Sequence, residues 1–183
     1  MDYYIDIKIQ PDAEMRENFL LNKVYTKLHK ALFELKARDI AVSFPDYQIT
    51  LGRVLRLHST QARLIELQAL NFLGGLSGYC KISAILPIPN LVQYRIISRI
   101  QPSMSLAKLQ RLKKRASISE NDSKAYKAKM FERGLDNPYV EIESTSNGHL
   151  YRRYLSFGEL MNESSKGEFD YFGLSRNSSV PIF

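Results

Sequence analysis

Three histidines, His29, His58 and His149, are the side chains best suited to move a proton near neutral pH. His29 stands one position from the apolar stripe of a helical segment, at its edge, where an ordinary boundary residue and a proton acceptor look alike. His58 and His149 compete for the same role. Ser144 and Ser146 flank Thr145 just before the turn signal Asn147-Gly148, and hydroxyls in such places often do no more than satisfy nearby backbone groups. Glu141 and Glu143 share one strand face, but no further acid marks a metal-binding cluster. The chemistry these residues favour is therefore histidine-based acid and base catalysis rather than a metal-assisted attack.

Charge indicates what such a group would act on. From Leu67 to Ser119 there is no aspartate or glutamate. Arg95, Arg99, Lys108, Arg111, Lys113, Lys114 and Arg115 lie there together, a local charge equal to the +7 of the whole chain. A concentrated positive field on an otherwise balanced body suits a polyphosphate backbone. On a helix from about Ser105, Lys108, Arg111 and Arg115 form one stripe and Lys113 and Lys114 widen it, while Leu106, Leu109 and Leu112 would face the body. A merely solvated helix normally mixes both signs for internal pairing, so the missing acids favour binding. Arg99 and Gln101 project from one face of a strand. Arginine can meet guanine bidentately and glutamine can meet adenine, although a polar sheet edge would carry the same residues. If the polyanion is RNA, its own 2′-hydroxyl supplies the nucleophile, and a histidine base needs no metal.

The elements that must hold these residues are legible as a mixed pattern. Tyr3 to Ile9 alternates as a strand. Asn18 to Lys36 carries Leu21, Val24, Leu28, Ala31, Leu32 and Leu35 at helical spacing. Strands follow at Ile40 to Phe44 and near Arg53 to Leu57, then a helix capped by Ser59 or Thr60, then a strand from Tyr79 to Leu86. That order predicts an α+β protein with an N-terminal ferredoxin-like (βαββαβ) domain over residues 1–88. Its strands lack the aromatic signature of the ordinary RNA recognition motif. After the Pro87-Ile88-Pro89-Asn90 joint, residues 91–183 form a smaller α+β domain. It has a strand at Gln93 to Gln101, the exposed basic helix, and a second helix with a Ser117-x-x-Glu120 capping box that ends at Gly134. Strands at Val140 to Ile142 and Leu150 to Leu155 flank Asn147-Gly148. A loop near Asn162 to Gly167 leads to a strand at Phe169 to Leu174 and a closing strand to Phe183.

Composition narrows the remaining classes. A hydrophobic fraction of 44% suits a globular protein. No apolar run approaches the roughly 18 residues that span a bilayer, and the first residues lack a signal peptide's pattern. Lone Cys80 excludes an internal disulfide and, with three scattered histidines, structural zinc. The expectation is a cytoplasmic protein with no cofactor, no metal and no membrane partner.

Several segments together carry a likeness. They are Met1-Asp2-Tyr3-Tyr4-Ile5-Asp6-Ile7, Lys27-Leu28-His29-Lys30-Ala31-Leu32, Val42-Ser43-Phe44-Pro45-Asp46 and Leu55-Arg56-Leu57-His58. Ser98-Arg99-Ile100-Gln101, Ser144-Thr145-Ser146-Asn147-Gly148, Gly173-Leu174-Ser175 and Val180-Pro181-Ile182-Phe183 continue it. In their order and spacing, over essentially the whole length, the chain resembles the CRISPR repeat-processing endoribonucleases of subtype I-F. The resemblance implies a metal-independent cut at the 3′ base of a repeat hairpin, leaving a 2′,3′-cyclic phosphate or 3′-phosphate and a 5′-hydroxyl. It makes His29 the catalytic histidine, most simply the general base, and has Ser144 hold the ribose. Arg99 and Gln101 then read base pairs at the foot of the stem, and Tyr151 stacks on the terminal pair, an interaction worth roughly 1–3 kcal/mol. Lys108, Arg111, Lys114 and Arg115 would follow the stem. The implied partners are the CRISPR repeat hairpin, as precursor and mature guide RNA, and other subunits of a type I-F surveillance complex, with the protein monomeric when free. The chain departs from the family in two respects. Phe172 stands where the family's active-site tyrosine precedes Gly-Leu-Ser, with Tyr171 one residue earlier, and Leu112 and Ala116 fall near expected arginines. A hairpin-binding subunit with weak or no catalysis is the rival reading, and a general RNA chaperone a third.

Overall fold

The computed structural model describes residues 1–100, 106–115, 117–130, 132, 137–143 and 148–183. In chain order the first elements are β1 (Tyr3–Ile9), α1 (Glu17–Glu34), β2 (Ala41–Ser43), β3 (Val54–Ser59), α2 (Gln61–Ala69) and, after a 3-10 helix at Gly74–Tyr79, β4 (Cys80–Ile82). They build an antiparallel sheet of order β2-β3-β1-β4, with the short β5 (Leu86–Pro87) pairing the start of β1. Alternation in β1 puts Ile5, Ile7 and Ile9 inside and leaves Lys8 exposed. The register sets Ile5 opposite Leu57 and Ile7 opposite Leu55, so apolar side chains meet across the strands. Helix α1 buries Leu20, Leu21, Val24, Tyr25, Leu28, Ala31 and Leu32, a stripe at three-to-four spacing.

The second half follows as β6 (Gln93–Ile100), α3 (Leu106–Lys114), α4 (Glu120–Met130), β7 (Tyr139–Glu143), β8 (Leu150–Met161) and β9 (Ser179–Ile182). Its antiparallel sheet has the order β7-β8-β6-β9. The two sheets share one core: Ile97, Val140, Ile142, Leu155 and Val180 belong to the same buried cluster as Ile7, Leu28 and Leu55. Helix α1 packs against β7, where the Glu141 N–H donates to Asn22 Oδ1 at 3.0 Å. At the other end Arg56 grips Asp6 through two hydrogen bonds of 2.7 and 2.9 Å and donates to the Phe183 carbonyl at 2.8 Å, tying the closing strand to the first sheet.

The α+β class stands, and most elements fall where their periodicity put them. Four details differ. The expected strand from Tyr79 to Leu86 is broken, because Ser83 accepts the Asp6 N–H on its hydroxyl at 2.9 Å and donates to Ala84 O, which ends the ladder between β4 and β5. It is an exposed edge rather than a buried strand, with Ile82 and Leu86 each 41% exposed. The stretch from Phe169 to Leu174 is a turn, described below. Helix α4 is capped from Ser119, whose Oγ accepts the Asp122 N–H at 3.1 Å, while Ser117 bonds the Leu112 carbonyl at 3.2 Å instead of forming the expected box with Glu120. In α3, Leu109 is buried and Leu112 half-buried, but Leu106 is 57% exposed, because it begins the helix beyond the reach of the core. Gln101, Ser105, Ala116, Gly134, Ser144, Thr145, Ser146 and Asn147 lie outside the described residues.

Candidate active site

His29 sits in the C-terminal half of α1, on the edge of its buried stripe, and is half-buried. Its Nδ1 lies 2.8 Å from the backbone carbonyl of Tyr171. A carbonyl oxygen can only accept, so Nδ1 carries the hydrogen and Nε2 holds the free lone pair of the neutral ring. No group among the described residues bonds Nε2. Burial lowers the His29 pKa from its ordinary value; the Tyr171 carbonyl opposes this, and the charge of Arg153 adds to it. The result is an imidazole that is neutral at physiological pH, fixed in one tautomer, with its basic nitrogen available.

The group that fixes the ring is a turn at residues 170–174. Asp170 Oδ1 accepts the N–H groups of Phe172 and Leu174 at 2.9 and 3.0 Å, and the Asp170 carbonyl accepts the Gly173 N–H at 2.8 Å. Gly173 has φ +69°, a left-handed conformation that glycine adopts without strain. Its carbonyl accepts the Val42 N–H at 2.9 Å, and a Cβ on Gly173 would collide with the Val42 side chain. The turn is thereby bolted to β2. It carries Phe172 onto His29, the two rings stacking with centroids 3.7 Å apart and planes 10° from parallel. The buried Tyr25 hydroxyl, whose pKa burial pushes up, stays protonated and donates to the Phe172 carbonyl at 2.7 Å. Tyr171 turns elsewhere, edge-on to Phe33 at 5.3 Å and beside Arg38, so its hydroxyl does not replace the one Phe172 lacks.

The structure brings together some of the remaining candidates and separates others. His58 is completely buried, its Nε2 2.7 Å from Ser43 Oγ, and takes no part in a surface site. His149 is exposed beside Gly148. Arg99 lies on the exposed side of β6, lining a shallow cavity of about 280 Å³ with Arg38, Asp170 and Arg176. Burial and then Arg153 lower the Arg99 pKa while Asp170 opposes them, so Arg99 and the His29 turn share one electrostatic neighbourhood. Tyr151 is partly exposed on β8, with the Arg153 guanidinium 6.0 Å from its ring. Lys108, Arg111, Lys114 and Arg115 are all exposed on or just after α3. Among the described residues no three His, Cys, Asp or Glu side chains gather as a metal-holding group, and no helix is long and apolar enough to cross a membrane.

Two participants were missed in the sequence. Asp170 organises the turn, and its Asp-x-x-Gly spacing to Gly173 was an available signal. Arg153, buried on β8 with its guanidinium carbon 3.5 Å from the Phe172 ring centroid, had none.

A half-buried neutral imidazole in a chain that also presents an acid-free block of exposed cations is equipment for working on a polyanion. The comparisons with known proteins place the chain among the CRISPR-associated proteins. More particularly, it belongs to the family described as CRISPR-associated protein (Cas_Csy4), whose model matches residues 4–183. It is 33% identical over 184 residues to a CRISPR-associated endonuclease Cas6/Csy4 of Escherichia coli (strain UTI89 / UPEC), covering all of both chains. It is also 33% identical over 187 residues to a protein of the same description from Pseudomonas aeruginosa (strain UCBPP-PA14), again covering all of both. Among solved structures it aligns with Thermus thermophilus Cse3 bound to an RNA representing a pre-cleavage complex. That alignment has a TM-score of 0.37 and 10% identity, covering 99% of this chain and 100% of the other.

Proposed function

We propose that this chain is a sequence- and structure-specific endoribonuclease that binds a CRISPR repeat hairpin, cuts once at its 3′ base and keeps the product. Family membership and the two full-length relatives described as endonucleases support the activity. The observation that carries the mechanism is His29, with Nδ1 committed to the Tyr171 carbonyl and Nε2 free to take a proton. In this reading Nε2 accepts the proton of the 2′-hydroxyl at the cut, whose oxygen attacks the adjacent phosphorus and expels the 5′-oxygen, which takes a proton from water. The products are a 2′,3′-cyclic phosphate, or the 3′-phosphate it hydrolyses to, and a 5′-hydroxyl. Nucleophile and base are then both organic groups, so the step proceeds without a metal. Ser144 would hold the ribose, Phe172 would orient the imidazole by its ring face, and Tyr151 would stack on the last base pair.

The same reading divides the chain into a ferredoxin-like unit over residues 1–88 and an RNA-binding unit over 91–183. The antiparallel order β2-β3-β1-β4, with α1 and α2 as the two crossovers, supports the first assignment. Arg99 and Gln101 would read the foot of the stem, and Lys108, Arg111, Lys114 and Arg115 would track its phosphates. Because intact A-form RNA has a narrow major groove, helix α3 requires a short stem that can open. After the cut, the protein would remain on the guide RNA's hairpin as one subunit of a type I-F complex.

The rival reading, a hairpin-binding subunit without cleavage, draws on one observation: Phe172 offers His29 a ring face but no hydroxyl. One experiment separates the two. The purified protein is incubated in EDTA with its repeat RNA and with the same RNA carrying a 2′-deoxy at the cut site. Cleavage of the first alone, lost in His29→Ala, supports the enzyme. Tight binding of both with no cleavage of either establishes the rival.

A further inference from the structure

Arg153 is 6% exposed, and its Nε is buried without a hydrogen-bond partner among the described residues. None of the ion pairs between described residues includes it. A buried cation with no carboxylate is costly and persists only where its surroundings hold it. What holds this one is an aromatic face: the guanidinium carbon lies 3.5 Å from the Phe172 ring centroid. His29 stacks on that ring at 3.7 Å and 10°. Two groups this close to one centroid cannot occupy the same face. The phenyl ring is therefore filling a sandwich, with imidazole on one side and guanidinium on the other.

We propose that Arg153 is a positioning residue for the cleavage step, clamping Phe172 flat against His29 and holding the imidazole in its proton-accepting form. The proposal rests on the reading of His29 as the base. Arg153 performs two tasks that a neutral side chain would not. Its planar head presses the ring from behind, which fixes the imidazole plane where Phe172 has no hydroxyl to do so. Its charge, paired with no carboxylate among the described residues, also disfavours a second positive charge across the ring.

The other groups facing His29 leave that balance intact. Lys30 on α1 acts in the same direction as Arg153, while Asp170 on the turn acts against it and the Tyr171 carbonyl holds Nδ1–H. Asp170 spends Oδ1 on the Phe172 and Leu174 N–H groups. From β7, which packs on α1, Glu141 is engaged by Arg152 and Glu143 by Lys23.

The test uses the intact protein and two substitutions that separate charge from shape: R153Q keeps a planar, neutral head, and R153K keeps the charge without the plane. The His29 ring is titrated by NMR without RNA, its signal assigned by its loss in H29Q. Single-turnover cleavage of the repeat hairpin is followed against pH, and affinity is measured on the 2′-deoxy hairpin. In R153Q the His29 midpoint should rise, and the acid limb of cleavage should move up with it. R153K should keep the wild-type midpoint but lose several-fold in plateau rate. Both should bind the 2′-deoxy hairpin as the wild type does. An unmoved midpoint in R153Q overturns the charge role, and a wild-type plateau in R153K overturns the clamp. An affinity loss that matches the rate loss makes Arg153 an RNA contact instead and also overturns the proposal. Should R153Q not fold, the R153K plateau decides. If the wild type leaves the repeat uncut while the His29 midpoint still shifts in R153Q, the cleavage reading fails and the charge across the ring stands.

Discussion

The rings of His29 and Phe172 lie 3.7 Å apart and 10° from parallel, a contact made by faces alone. Orientation is then a matter of shape, and removing the flat face should free the imidazole to rotate about its bond to Tyr171.

Phe172→Leu keeps an apolar side chain but loses the plane. A misplacement of about 1 Å at a reacting group costs about a hundredfold in rate, and a loss of that order is the expected result. Affinity for the 2′-deoxy hairpin should stay within error of wild type, since both faces of the ring are covered by His29 and Arg153. Single-turnover rates with paired binding curves check this, and equal rates for the two proteins would remove the ring from the catalytic machinery.

Gly173→Ala attacks the same arrangement through the backbone. The position has φ +69°, and its Cβ would strike the Val42 side chain. A left-handed alanine costs about 1–2 kcal/mol before any collision, so at least that loss should appear in urea unfolding. Because the Gly173 carbonyl also takes the Val42 N–H, the turn cannot slide away without breaking that bond. Cleavage should fall as well, whereas a variant with wild-type stability would contradict the geometry of the turn.

Sequence periodicity located β1 and α1 to within a residue or two because each buries one regular face. It failed where side chains interrupt the backbone pattern. Ser83 caps the end of a ladder that alternation alone would continue. Phe169, Tyr171 and Gly173 mimic one strand face, yet Asp170 folds the segment into a turn. The acid-free block was visible as composition, and α3 presents its cations to solvent. Arg153 was invisible for a different reason. Its meaning comes from Phe172, 19 positions away in sequence, and no spacing rule joins a strand arginine to a turn phenylalanine.

His58 should make stability depend on pH. It is completely buried; burial, with a smaller contribution from the Arg56 charge, pushes its pKa down to about 3. The unfolded chain's histidine titrates near 6.5, so below that pH the unfolded state gains a proton that the folded state refuses. Stability is therefore full above about pH 6.5, falls toward pH 3, and levels off below. Between pH 7 and pH 5 this one group removes about 2 kcal/mol. His58→Gln should flatten that part of the profile in urea unfolding at the two pH values. A slope identical to wild type would mean that His58 is protonated inside the fold.

The basic helix is tested by salt rather than by affinity alone. Leu109 anchors α3 at 3% exposure, while Lys108, Arg111, Lys114 and Arg115 are exposed. Each phosphate neutralised by such a side chain adds about 0.7 to 0.9 to the slope of log affinity against log salt. Replacing Lys114 and Arg115 by glutamine should therefore lower the slope by roughly one to two, with weaker binding at low salt. Lys8→Gln, on the exposed side of β1 and far from α3 in the chain, serves as the control and should leave the slope as it is. Arg111→Lys refines the result: charge is kept, so the slope should hold, but the bidentate fork is lost. A fall in discrimination between cognate and scrambled stems would then mark Arg111 as a reader of the stem, while unchanged discrimination would make it a phosphate contact. An unchanged slope in the double variant removes the helix from the RNA interface, and the acid-free block would need another explanation.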